Sequence, residues 1–145
     1  MRHAPLGEYS TVNSLLYGAR VGEGLPGSAG IAISGRPTVA QLENLTTKHG
    51  VEFAVTYQLG SGVSGRGGQY FLYSGNVSSV SVPVRANSML IYHTHPGGTA
   101  WASTADMNLM RRLGNIGSPQ RSSQIIPIGG NGPVWFSKTI GNIPK

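Results

Sequence analysis

Cysteine is absent from this chain of 145 residues. Disulfides and thiolate zinc sites are therefore excluded, and any transition metal must be held by His, Asp or Glu. Acids are also scarce: Glu8, Glu23, Glu43, Glu52 and Asp106 are all there are, so each can be weighed for a role. No apolar run approaches the roughly 20 residues needed to cross a bilayer, and Met1-Arg2-His3-Ala4-Pro5 leads into no signal-peptide core. The expectation is a soluble chain with no membrane insertion. The glycine-rich stretch from Gly60 to Gly68 lacks the Gly-x-x-x-x-Gly-Lys-Ser/Thr pattern of a phosphate-binding loop, and reads as a flexible hairpin tip.

Turn formers are abundant, with 22 glycines and 9 prolines beside 39% apolar residues. That balance predicts one compact domain of short elements joined by many turns. Eleven Lys and Arg against five acids give a net charge of +6, a balance that can signal an acidic partner such as nucleic acid. The positives are scattered, with Arg111-Arg112 the one adjacent pair, so nucleic acid is the weaker reading of the target.

Residues 1–36 are rich in breakers, including Gly22-Glu23-Gly24-Leu25-Pro26-Gly27, and read as an irregular lead-in or a linker. Within it, Tyr9 to Leu16 suggests a short helix and Gly30 to Ile33 a short strand. A better helix opens at Thr38, with Gln41 as capping-box partner, Val39, Leu42 and Leu45 at helical spacing, and Gly50 as its stop. From Val51 the pattern alternates, predicting a strand that returns as a hairpin over Gln69 to Tyr73. Val77 to Val84 suggests a further extended segment, irregular at Pro83. Met89 to His95 reads as an apolar strand, Ser103 to about Leu113 as a helix, and Gln124 to Ile128 with Val134 to Lys138 as a terminal hairpin. This mixture predicts an α/β or α+β sandwich.

Chemistry concentrates in His93-Thr94-His95-Pro96, followed by Ser103 and Asp106. Side chains alternate along a strand, so His93 and His95 share a face with Thr94 turned away. Two imidazoles on one face can share an ion, and a catalytic zinc takes three protein ligands; Asp106 is the candidate third. Ser103 and Asp106 also fit a helix N-cap with an acid in its first turn, and the two roles are compatible. Either histidine could alternatively be a satisfied strand residue. His49, at a helix C-terminus, suits a structural role, and His3 matches no pattern.

The stretch resembles the JAMM motif of the MPN (JAB) metalloproteases: His-x-His-Pro, six residues, then Ser-x-x-Asp, matched here at every fixed position. Trp101, two residues before the serine, resembles the aromatic often found there in the family's deubiquitinating members. It reads equally as a rim contact for substrate and as a packed aromatic.

The resemblance implies an MPN-like sandwich over residues 37–145, with a central curved mixed sheet flanked by helices. It also implies Zn²⁺ held by His93, His95 and Asp106, and Glu52, which follows a helix and opens a strand, as general base; a solvated strand-end carboxylate is the plainer account of Glu52. Ser103 is then an oxyanion donor, and the reaction is hydrolysis of a peptide or isopeptide bond in a protein or peptide substrate. No long insertions of the kind that grip ubiquitin are evident. Small size, high glycine content and the breaker-rich start also resemble bacterial JAB-like modules at the C-termini of secreted Rhs-type toxins. That likeness implies a delivered effector acting in a target-cell cytoplasm and opposed by a cognate immunity protein. A metal-dependent nuclease using the same ligands and a non-catalytic MPN-like binding module are the competing classes.

Overall fold

The computed structural model describes residues 11–60 and 67–143. His3, the start of the Tyr9–Leu16 segment and most of the Gly60–Gly68 loop lie outside them. The fold is mixed α/β, built on one six-stranded sheet. Its elements in chain order are β1 (Ile31–Ile33), α1 (Val39–His49), β2 (Phe53–Gln58), β3 (Gln69–Ser74), β4 (Ser88–His95), α2 (Thr104–Asn115), β5 (Ser123–Pro127) and β6 (Val134–Phe136). The strands lie in the order β1-β3-β2-β4-β5-β6. All neighbours are antiparallel except β4 and β5, which run parallel because α2 crosses over between them.

The helices form where their caps predict. Thr38 Oγ1 accepts the Gln41 N–H at 3.1 Å, and Gln41 Oε1 accepts the Thr38 N–H at 2.9 Å. Gly50 ends α1 in the left-handed conformation at φ 71°. Val77 to Val84 differs from expectation. It forms no strand, because after Gly75 the chain turns on Asn76, whose Oδ1 accepts from the backbone N–H groups of Ser78 and Ser79 at 2.9 Å each. That local turn and Pro83, which has no N–H, leave the segment without a ladder partner.

The core divides into two clusters. On the α1 side, Phe53, Val55, Leu72, Tyr92 and Ile126 of the sheet pack with Leu42 and Leu45. The breaker-rich lead-in joins this cluster: Val12, Leu15 and Ile33 are buried in it, Leu15 from a π-helical turn at Ser14–Gly18. His49 fastens that turn, accepting the Gly22 N–H at Nδ1 (2.8 Å) and donating from Nε2 to the Leu15 carbonyl (3.0 Å). On the opposite side, Ala54, Tyr73, Leu90, Ile125 and Phe136 pack with Met110 of α2.

A β-bulge decides which face receives the histidines. Against β2, Val55 pairs with Tyr92 but Thr56 pairs with Leu90, so Ile91 is the extra residue. Leu90 and His93 therefore stand on the same face three residues apart, and alternation resumes through His95. Between the histidines Thr94 points the other way and is fully buried. Its Oγ1 shares a hydrogen bond with Thr46 Oγ1 at 2.7 Å and accepts the Phe53 N–H at 2.9 Å. This one hydroxyl ties β4 to both α1 and the head of β2. Thr94→Val strands the buried Phe53 N–H, and a loss of about 1–3 kcal/mol in urea-unfolding stability is expected.

Candidate metal centre

Four side chains meet at the C-terminal end of β4. His93 Nε2 and His95 Nε2 are 3.1 Å apart, and Asp106 Oδ2 lies 3.2 Å from each. Both histidines are buried. Asp106 arrives in the first turn of α2, whose N-cap is Ser103. The capping box is complete: Asp106 N–H donates to Ser103 Oγ at 3.0 Å, and Ser103 N–H donates to Asp106 Oδ2 at 2.9 Å. The oxygen that closes the cap is thus the oxygen that faces the histidines, so the cap and site readings of Ser103 and Asp106 hold together. Ser103 Oγ accepts within the cap and keeps its own O–H free to donate.

Glu52 stands one residue before β2, and Ala54 pairs with His93, which brings Glu52 to the level of His95. Its carboxylate and the two ring nitrogens all lie within 4.8 Å of one another, a buried group that could hold a metal ion. Unlike Asp106, it forms no ion pair with either ring. The backbone of Glu52 is clamped from the far side: its N–H donates to the Asn76 carbonyl at 2.8 Å, and its carbonyl accepts from the Gly75 N–H at 2.9 Å. Gly75 has no room for a side chain, since a Cβ there would stand 1.9 Å from the Ser79 carbonyl oxygen. The Gly75–Ser79 turn therefore sits directly against the strand end that carries Glu52.

Ring orientation is set by neighbours absent from the motif. His95 Nδ1 donates to the Thr99 carbonyl at 2.8 Å, which leaves the Nε2 lone pair directed at the cluster. His93 is held edge-on to Phe136, with ring centroids 5.7 Å apart, and its buried Nδ1 has no hydrogen-bond partner. Phe136, the Thr99 carbonyl and the Gly75–Ser79 turn carry no sequence signal for these roles, because each acts through chain folding or backbone atoms.

The donor set fits a tetrahedral cation. With His95 Nδ1 carrying its proton, His95 Nε2 and Asp106 Oδ2 are two lone-pair atoms at 3.2 Å, and a positive centre must lie between them. Bonds of roughly 2.0–2.1 Å give a tetrahedral edge of about 3.3–3.4 Å, close to the 3.1–3.2 Å edges of this triangle. Without metal a proton takes that part. Burial disfavours the charged His95, but hydrogen bonds to Asp106 and Thr99 and the charges of Asp106 and Glu52 outweigh it and raise its pKa. Burial likewise pushes the Asp106 carboxyl up, yet hydrogen bonds from His93 and His95 and the charge of His93 hold it well below the usual carboxylate range. Burial dominates at Glu52: opposed by His95 and reinforced by Asp106, it pushes the pKa up to about 7.

The site opens into a cleft of about 320 Å³ lined by Glu52, His95, Trp101 and Ser103 among others. The motif residues are thus brought to one place, with Trp101 at the rim and 60% exposed. Comparisons with protein-family models, curated proteins and solved structures give no match.

Metal must displace the proton that His95 holds, and that proton persists to higher pH because the His95 pKa is raised. Binding of a metal ion at this site should therefore weaken as pH falls. Competition titrations with a chromophoric chelator across the range in which His95 gains its proton should show this weakening, and a flat profile would exclude His95 as a ligand.

Proposed function

We propose that the chain is a zinc-dependent hydrolase of peptide or isopeptide bonds with an MPN-like fold. The observation that carries this reading is the 3.1–3.2 Å triangle of His93 Nε2, His95 Nε2 and Asp106 Oδ2 beside a buried carboxylate. Three ligands would hold the ion, as in catalytic zinc sites. Zinc supplies Lewis acidity, the property that lets water deprotonate near pH 7.

Glu52 provides the proton chemistry. Its carboxylate accepts the proton of the attacking water as the water oxygen bonds to the carbonyl carbon, and delivers it to the nitrogen as the carbon–nitrogen bond breaks. A base that both takes and returns a proton works best with a pKa near the operating pH, and burial pushes the Glu52 carboxyl up in the metal-free site. Ser103, exposed at the cleft with its O–H available, donates to the oxyanion that develops on the carbonyl oxygen. The Thr99 carbonyl keeps the His95 ring in register throughout. The MPN-like fold and the effector setting, with its immunity protein, draw on the motif and on the compact, glycine-rich composition.

The net charge of +6 favours a metal-dependent nuclease as the second reading. One comparison separates the two. Cells expressing the chain should yield new protein termini that are absent with Glu52→Gln, whose turnover falls about 10²- to 10⁴-fold while its zinc content stays unchanged. Identical termini in both samples would overturn the peptidase reading, and metal-dependent loss of plasmid by the purified chain would replace it with the nuclease.

A further inference from the structure

The cleft beside Glu52 and His95 is walled by Val77, Pro96, Gly97 and Trp101, and no Lys or Arg lines it among the described residues. Val77 is 66% and Trp101 60% exposed. Two large apolar side chains thus border one concave site at the reacting groups. Pockets that take a specific ligand have this composition, an apolar wall with a few polar groups that fix orientation.

Trp101 is held in place from behind. Ala102 N–H donates to the Gly141 carbonyl at 2.9 Å, and Asn142 Nδ2 donates to the Ala100 carbonyl at 2.8 Å. The indole lies so close to Gly141 that a Cβ there would stand 3.1 Å from Trp101 Cε3. The Ile143 N–H donates to the Trp135 carbonyl at 2.8 Å, which ties this buttress to the sheet edge. An aromatic braced by a second segment of chain, yet 60% exposed and lining the cleft, is a prepared wall and not a loosely placed surface residue. The Asn76 turn that positions the Glu52 backbone also contributes Val77 to the same cleft, so one turn sets both the carboxylate and part of the apolar lining.

We propose that Trp101 and Val77 form a subsite for a large apolar side chain, so that the substrate carries an aromatic or large aliphatic residue flanking the scissile bond. The proposal rests on the peptidase reading and names the substrate class of that site. An acidic side chain here would face the carboxylate of Glu52, and a lysine would have to lose water against an apolar wall.

The test uses the zinc-loaded chain carrying Glu52→Gln, to prevent turnover, and Trp135→Phe, so that Trp101 is the sole indole. Blocked tripeptides Ala-Phe-Ala, Ala-Gly-Ala and Ala-Lys-Ala are titrated while indole emission is followed. The phenylalanine peptide should shift the emission and bind about tenfold tighter or more than the other two. Equal affinities, or tighter binding of the lysine peptide, would overturn the subsite. In parallel, the otherwise unaltered chain is given peptides from a denatured proteome. Its cuts should be enriched for large apolar residues at one flanking position, and the enrichment should be lost in Trp101→Ala. Cuts with no such preference sink the subsite and leave the peptidase standing, whereas peptide preference without any cuts does the reverse.

Discussion

One oxygen atom organises the site. Asp106 Oδ2 accepts the Ser103 N–H that starts α2 and faces both histidine rings at 3.2 Å. Without the cap the first turn of α2 would fray, at a cost of about 1 kcal/mol in helix stability. The Asp106 carboxylate would then lose its fixed place at the end of β4. Helix formation and the placement of this carboxylate are therefore a single event. The same economy appears at Glu52, where the Asn76 turn that ends the β3 ladder also holds the backbone of the proposed base. Both acids are delivered by backbone hydrogen bonds, which are less forgiving of displacement than long side chains.

The elements close to the motif were legible because their signals are local. Period-two alternation places His93 and His95 on one face, and it holds because the bulge at Ile91 falls before both residues and not between them. A bulge one turn of the ladder later would have sent them to opposite sides with no change in the motif. Ser103 and Asp106 were readable as both cap and site because a capping box needs the same two positions. Glu52 was placed by order alone, after a helix and at the head of a strand, and the structure brings it within 4.8 Å of both ring nitrogens.

What the sequence hid is long-range. Residues Val12 and Leu15 lie among breakers, yet pack into the α1-side core, where Lys48 and His49 anchor the Ser14–Gly18 turn through backbone carbonyls 32 and 34 residues away. Valines 80, 82 and 84 look like a strand because they alternate, but alternation states which face is apolar and not whether a partner strand is there. The parallel pairing of β4 with β5 likewise depends on α2 crossing the sheet, a property of three elements together.

Thr94 carries a consequence for metal choice. Its hydroxyl pins the stretch of backbone between the two histidines to α1 and β2, so the spacing of the ring nitrogens is set before any ion arrives. A cation with bonds near 2.0–2.1 Å and four ligands accepts that spacing with little adjustment. Calcium, with bonds of about 2.3–2.6 Å and six to eight oxygen ligands, matches neither that spacing nor a site with two imidazoles. Under the zinc reading proposed above, the hydrogen bonds behind β4 would bear on the choice of ion without touching it.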